Sequence, residues 1–129
     1  MIAYRETQDI DLEQLAALFR TAGFEGGEDR ARLAQQVAGA RYVVSAWDGA
    51  RLVGFARAIS DGARNAYVST VAVLPAYRGR GIGRQLMTRL LADKDGILFV
   101  LHARVEVKEF YARFGFSEAE DMMRRPRKF

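Results

Sequence analysis

Between Val71 and Leu86 the chain reads Val-Ala-Val-Leu-Pro-Ala-Tyr-Arg-Gly-Arg-Gly-Ile-Gly-Arg-Gln-Leu, and no other stretch of its 129 residues restricts the fold as tightly. An apolar strand runs into a turn at Pro75, then a glycine-rich basic loop, then a helix. The alternating Gly79, Gly81 and Gly83 keep side chains away from the helix start. Backbone N–H groups there can approach an anion closely, and the helix dipole favours negative charge at that end. Arg78, Arg80 and Arg84 add cations around the same point. Read from the residues alone, this is a cradle for a diphosphate.

The spacing narrows the kind of cradle. A Walker loop needs Gly-x-x-x-x-Gly-Lys-Ser/Thr, and the chain has no such run. A dinucleotide fingerprint needs Gly-x-Gly-x-x-Gly with an acidic residue about 20 positions on. Here the third glycine, Gly83, falls one place early. The pattern that fits is Arg/Gln-x-x-Gly-x-Gly/Ala, met by Arg78-Gly79-Arg80-Gly81-Ile82-Gly83. That loop, inside the wider phrase from Val71 to Met87, resembles the acetyl-CoA loop of the GNAT superfamily of N-acetyltransferases. A second segment agrees with it: Phe110-Tyr111-Ala112-Arg113-Phe114-Gly115-Phe116 is similar to the GNAT segment Phe-Tyr-x-x-x-Gly-Phe on the helix after the fifth strand.

Hydrophobic periodicity supplies the elements around these motifs. Residues 1–7 read as a strand. Leu12, Leu15, Ala16, Leu18 and Phe19 follow helical spacing, with Asp9 or Asp11 as the cap and Gly23 as the break. A second amphipathic helix is expected over 28–38. Strands follow at 42–47 and 51–59, joined by Asp48-Gly49, and at 66–73 after Asp61-Gly62. The helix after the cradle reaches about Ala92, a strand covers 97–101, a helix covers Val105–Phe114 and ends at Gly115, and a last strand runs from Phe116 to about Met123. The order β-α-α-β-β-β-α-β-α-β describes one α/β domain over residues 1–129, a mixed and mostly antiparallel central sheet with helices on both faces. It matches the GNAT arrangement from end to end.

Composition sets limits. With no cysteine and a single histidine, His102, neither thiolate chemistry nor a Cys- or His-rich metal site is expected. No run approaches the roughly 18 apolar residues that span a membrane. The N-terminal Met-Ile-Ala-Tyr-Arg-Glu is not a signal peptide, so the cytoplasm is the default location. The net charge of +4 suits an anionic cofactor. The basic cluster Arg124-Arg125-Pro126-Arg127-Lys128 reads as a solvated end, not a nucleic-acid arm.

The resemblance assigns roles. Tyr111 would protonate the departing CoA thiolate, which suits a phenol of pKa about 10. The Val71 N–H would polarise the acetyl carbonyl, Val73 would pair with the pantetheine arm like an added strand, and the backbone from Arg78 to Arg84 would hold the diphosphate. The strand ending at Val73 would splay from its neighbour. Two departures stand out. Where some family members carry a glutamate base this chain has Tyr67, and where small relatives carry an acid it has Thr70. Deprotonation of the amine is therefore assigned to ordered water, with Tyr67, Thr70 or Asp61 as relays. Arg104 stands where the family often has asparagine. His102 reads as a half-buried strand residue.

The run from Gly54 to Ala66 resembles that of small relatives such as plant serotonin N-acetyltransferase-like proteins. This points to a small-molecule amine acceptor, with Phe24, Arg57 and Asp61 lining its pocket. A protein or peptide acetylase and a non-catalytic acyl-CoA-binding regulatory module are the alternatives. A homodimer is an expectation of the family, and no residue pattern asks for it.

Overall fold

Leu15, Leu18 and Phe19 form one apolar stripe, and that stripe sets helix α1 (Leu12–Ala22) against the sheet. Of the two candidate caps, Asp11 is the one used: its carboxylate accepts from the Glu13 N–H at 2.9 Å. Asp29 does the same for α2 (Arg30–Ala38), accepting from the Arg32 N–H. These two helices pack on each other between the first strand, β1 (Ile2–Arg5), and the second, β2 (Tyr42–Asp48). The computed structural model describes residues 1–128.

The sheet is completed by β3 (Arg51–Ser60), β4 (Asn65–Val73) and β5 (Leu98–Leu101), in the order β1-β2-β3-β4-β5. Every neighbouring pair is antiparallel except β4 and β5, which are parallel. A parallel pair needs a crossover, and helix α3 (Ile82–Leu91) provides it. β3 is the central strand, and both its faces are buried. Phe55 meets Phe19 of α1, ring centroids 6.3 Å apart, while its neighbour Gly54 faces Ile82 and Leu86 of α3. Adjacent strand residues point to opposite faces, so α1 and α3 cover opposite sides of the sheet. The mixed, mostly antiparallel sheet with helices on both faces is the architecture the sequence implies.

Two expectations are corrected at the C-terminal end. The helix expected over Val105–Phe114 is a tight 3-10 turn at Val105–Val107 followed by a short helix, α4 (Lys108–Ala112). The β-branched Val105 and Val107 disfavour the α-helical start, and Gly115, with φ +90°, closes the end. The last strand is absent among the described residues: from Ser117 to Lys128 the chain is exposed and irregular. That stretch has no apolar–polar alternation and no β-branched residue, so it has no face to bury on the short β5, whose Leu98 is 63% exposed. None of the described helices is long and apolar enough to cross a membrane.

Gly54 holds α3 close to the sheet. A Cβ there would lie 3.0 Å from Ile82, and 3.2 Å from both Ala46 and Leu86. Gly54→Val should therefore destabilise the protein by about 1–3 kcal/mol through overpacking. Gly96→Ala, whose methyl meets nothing within 4 Å, should change stability by no more than about 0.5 kcal/mol. Urea denaturation of both variants checks the pair.

Candidate active site

β4 is fully paired with β3 but only half paired with β5. The parallel ladder runs from Asn65↔Leu98 to Val68↔Leu101 and stops. At the same point the β3–β4 register slips, because Arg57 pairs with Thr70 and Ala58 with Val68, leaving Ser69 as the extra residue of a bulge. Beyond it β4 continues to Val73 with one edge bare. The Leu74 N–H donates to the Val53 carbonyl at 2.9 Å. Antiparallel pairing alternates, so the backbone groups of Ala72 and Thr70 also face β3, and those of Val71 and Val73 face the bare edge. This is the splay expected from the sequence. It opens a cleft of about 980 Å³.

The glycine loop forms one wall. Gly79 and Gly81 have φ of +81° and +80°, in the left-handed region where a side chain would be strained. Gly81 is the N-cap of α3 and offers no side chain. The Gln85 N–H is the first to find an intrahelical acceptor, the Gly81 carbonyl at 3.1 Å. The amides of Ile82, Gly83 and Arg84 are left free in the first turn, beside the cleft. Gly83 keeps an ordinary φ and lies beside Phe110 of α4, where a Cβ would make ordinary contact at 3.5 Å.

Arg78 and Arg84 line the cleft. The Arg80 side chain does not, because its guanidinium lies over the Tyr77 ring at 4.8 Å. Tyr77 itself is buried, and its hydroxyl donates to the Asp48 carboxylate. This bond ties the loop to the β2–β3 hairpin.

α4 closes the opposite wall. Tyr111 is half-buried and held by edge-on contacts with Phe110 (5.0 Å) and Phe116 (6.0 Å). Its hydroxyl takes part in none of the side-chain hydrogen bonds among the described residues, and it lines the cleft with Val71 and Val73. Burial raises its pKa above the usual phenol value.

On the other face of the sheet, Gly23 ends α1 in a left-handed turn (φ +83°), and the Phe24 N–H donates to the Phe19 carbonyl at 2.8 Å. That turn swings Phe24 into the cleft against Phe19. Thr70 also reaches the cleft, and its hydroxyl accepts from Arg57 Nε at 3.1 Å. Arg57 lies beneath the lining, donating through Nη2 to Ser69 Oγ (2.9 Å) and to Gln36 Oε1 of α2 (3.3 Å).

Two expected pocket residues lie elsewhere. Asp61 accepts from the backbone N–H groups of Ala63, Arg64 and Asn65, which hold its carboxyl down at about 2. It shapes the β3–β4 turn and does not line the cleft, so it is removed as a proton relay. Tyr67 stands just before the bulge, outside the lining, edge-on to His102 at 6.0 Å. His102 is exposed and lies one residue past β5, on the cleft wall, where a half-buried strand residue was expected.

Sequence reasoning missed Ser69, because nothing local marks a bulge. It also missed Arg113, which lines the cleft with Arg104. Four arginines (Arg78, Arg84, Arg104 and Arg113) face the cleft against one carboxylate, Glu106. With the free helix amides, this charge favours a polyanionic ligand.

Comparison with known proteins agrees. Residues 39–118 match the family model of the acetyltransferase (GNAT) domain. The chain is 34% identical over 126 residues to serotonin N-acetyltransferase 2, chloroplastic, of Oryza sativa subsp. japonica, covering 93% of this chain and 63% of that protein. It is 44% identical over 69 residues to histone acetyltransferase TAP1 of Glycine max, which covers 51% of this chain and 30% of that protein. It thus spans less than two thirds of the length of either relative. Among solved structures, a GNAT-family acetyltransferase from Streptococcus pneumoniae TIGR4 superposes with a TM-score of 0.80 at 24% identity, covering 99% of this chain and 100% of that one. A family match over more than half of the chain, on a sheet splayed beside a glycine-rich helix mouth, places this protein in the GNAT family of acetyltransferases.

Proposed function

We propose that the protein is an acetyl-CoA-dependent N-acetyltransferase acting on a primary amine of a small molecule, with Tyr111 as general acid. The observation that carries this reading is convergence. The bare edge of β4, the free amides of α3 and the unpaired hydroxyl of Tyr111 open on one cationic cleft.

The residues present fit acetyl-CoA. The amides of Ile82, Gly83 and Arg84, with Arg78 and Arg84, would hold the diphosphate. Val73 would take the pantetheine arm through its backbone, as a strand takes a neighbour. The bound thioester supplies an activated acetyl group. The Val71 N–H would donate to its carbonyl oxygen as negative charge develops there. The amine nitrogen forms the new bond to the acetyl carbon as the carbon–sulfur bond breaks, and Tyr111 delivers its proton to sulfur. Holding both partners in one cleft supplies much of the rate. The amine's own proton leaves through ordered water, with Thr70 as the relay that faces the cleft.

A protein acceptor is the reading raised by the name of the soybean relative, and a non-catalytic CoA-binding module is the other. The aromatic contacts that hold the Tyr111 hydroxyl free of protein partners favour catalysis over simple binding. CoA release assayed over small amines and lysine peptides separates the three.

Tyr111→Phe should lower kcat by about 100-fold or more while leaving calorimetric affinity for CoA within about twofold. Full turnover by this variant would remove the acid assignment. Gly81→Val, which forces a left-handed position on a β-branched side chain at the helix mouth, should weaken CoA binding by at least about tenfold in the same titration. The rate should rise with pH as the amine loses its proton. Because burial keeps Tyr111 protonated beyond the usual 10.0, no basic limb should appear below that pH. A sharp acid limb at about pH 4 to 5 would instead reveal a carboxylate base.

A further inference from the structure

Water and the Thr70 hydroxyl can pass the amine's proton on, but neither holds it at neutral pH, and β4 carries no carboxylate along the cleft. His102 is the only histidine of the chain. Imidazole is the side chain whose ordinary titration falls between about pH 5 and 8. His102 is exposed and lines the cleft. Its ring takes part in none of the ion pairs or side-chain hydrogen bonds among the described residues, so its nitrogens are open to water.

Position says which proton it can take. Phe55 faces α1 and Arg57 bonds Gln36 of α2, so Ile59, two residues further along β3, points to that same side. Ile59 pairs with Tyr67, and Tyr67 with Val100 of β5. Paired residues share a face, and His102 follows Val100 by two, its ring edge-on to Tyr67 at 6.0 Å. His102 therefore lies on the α1–α2 side, from which Phe24 and Thr70 also reach the cleft. Tyr111 comes from the other side, on α4, which lies beside the α3 mouth at Gly83. One step past the Val68↔Leu101 pair, His102 is level with Ser69, two residues before Val71. At about 3.3 Å per residue the offset is about 7 Å, which an imidazole and one bridging water cover.

The titratable group in contact with the ring is Tyr67, and Arg104 and Glu106 follow it on the same stretch of cleft wall. Arg78 and Arg84 at the α3 mouth and Arg113 after α4 line the diphosphate side, and α1 adds no charged side chain to the lining.

We infer that His102 is the general base, receiving the amine's proton across one water. This rests on the acetyl-transfer reading above and completes its proton path. The neutral amine nitrogen bonds to the acetyl carbon and sheds one proton, through water, to the imidazole. The carbon–sulfur bond breaks, and Tyr111 protonates sulfur. The imidazolium then returns its proton through solvent to the Tyr111 oxygen, so no net proton is gained or lost.

The test follows CoA release from saturating acetyl-CoA with phenethylamine, putrescine and a lysine peptide, with kcat/KM referred to the unprotonated amine. The wild type should show a plateau and an acid limb at about pH 6 to 7, falling about tenfold per pH unit below it. His102→Gln should lower the plateau by about 100-fold or more and abolish that limb, with CoA affinity within about twofold of wild type. Glu106→Gln should keep the limb. Because the chain has one histidine, NMR of the CoA-saturated wild type reports its titration directly, and that midpoint should match the kinetic one. A limb that is missing, that survives in His102→Gln, that is lost with Glu106 or that differs from the NMR midpoint by more than about half a pH unit overturns the inference and leaves acetyl transfer standing. Where His102→Gln fails to fold or is too slow for a profile, agreement of the two midpoints decides. If the wild type turns over none of the amines, the acetyl-transfer reading fails, and the base assignment falls with it.

Discussion

The cleft exists because one strand is denied half of the hydrogen bonds along one of its edges. β4 pairs with β5 only as far as Val68, and the next residue, Ser69, is squeezed out of the β3 ladder as a bulge. A bulge bends its strand and raises the local twist, so the two parallel strands diverge from that point. The backbone of Val71 and Val73 then faces open space. Unpaired backbone groups are costly when buried, and these remain at the edge of a large solvent-filled cleft. Such an edge is a template for a partner strand. An extended chain bearing amides, such as the pantetheine arm of the proposed cofactor, would answer that template without rearrangement of the sheet.

The same splay divides the work between the faces of the sheet. On the α3 face, charge is gathered by backbone. Glycines at positive φ bring the helix mouth close, and arginines surround it. The loop needs an anchor that does not compete for the ligand, and Tyr77 provides one by bonding Asp48 on the β2–β3 hairpin. On the α1–α2 face, charge is held by a single side chain under the cleft floor. The bulge joins the two arrangements, since Ser69 and Thr70 both reach Arg57 only because the extra residue turns them toward it.

What the sequence made legible follows the range of the forces involved. The loop from Arg78 to Arg84 and the segment from Phe110 to Phe116 are local patterns, in which glycine positions and aromatic spacing determine nearby geometry. The periodic apolar residues of α1, and Asp48-Gly49 between β2 and β3, are equally local. Asp61 misled because an exposed acid in a turn serves its own backbone as readily as a substrate, and three N–H donors within four residues claimed it. Arg80 misled because its side chain found a nearer partner in Tyr77. The last strand failed for lack of any apolar face between Ser117 and Lys128. The bulge at Ser69, the bonding of Arg57 to Gln36 and the exposure of His102 depend on contacts between distant segments, and no pattern in adjacent residues encodes them.

In the proposed role of general acid, Tyr111 would meet two demands with one device. A general acid has to be fixed in position, yet its proton must not be shared with a neighbour of the protein. Hydrogen bonds would fix the phenol but engage the hydroxyl. Aromatic edges of Phe110 and Phe116 fix the ring and leave the hydroxyl alone. The burial that comes with those contacts disfavours the phenolate, so the phenol keeps its proton beyond its usual range. α4 is too short to be held by its own backbone bonds. Its stability comes from the packing of Phe110 and Phe114 and from the Phe110 contact with the helix mouth at Gly83. Thus α4, which carries Tyr111, and the first turn of α3 meet where Phe110 lies beside Gly83.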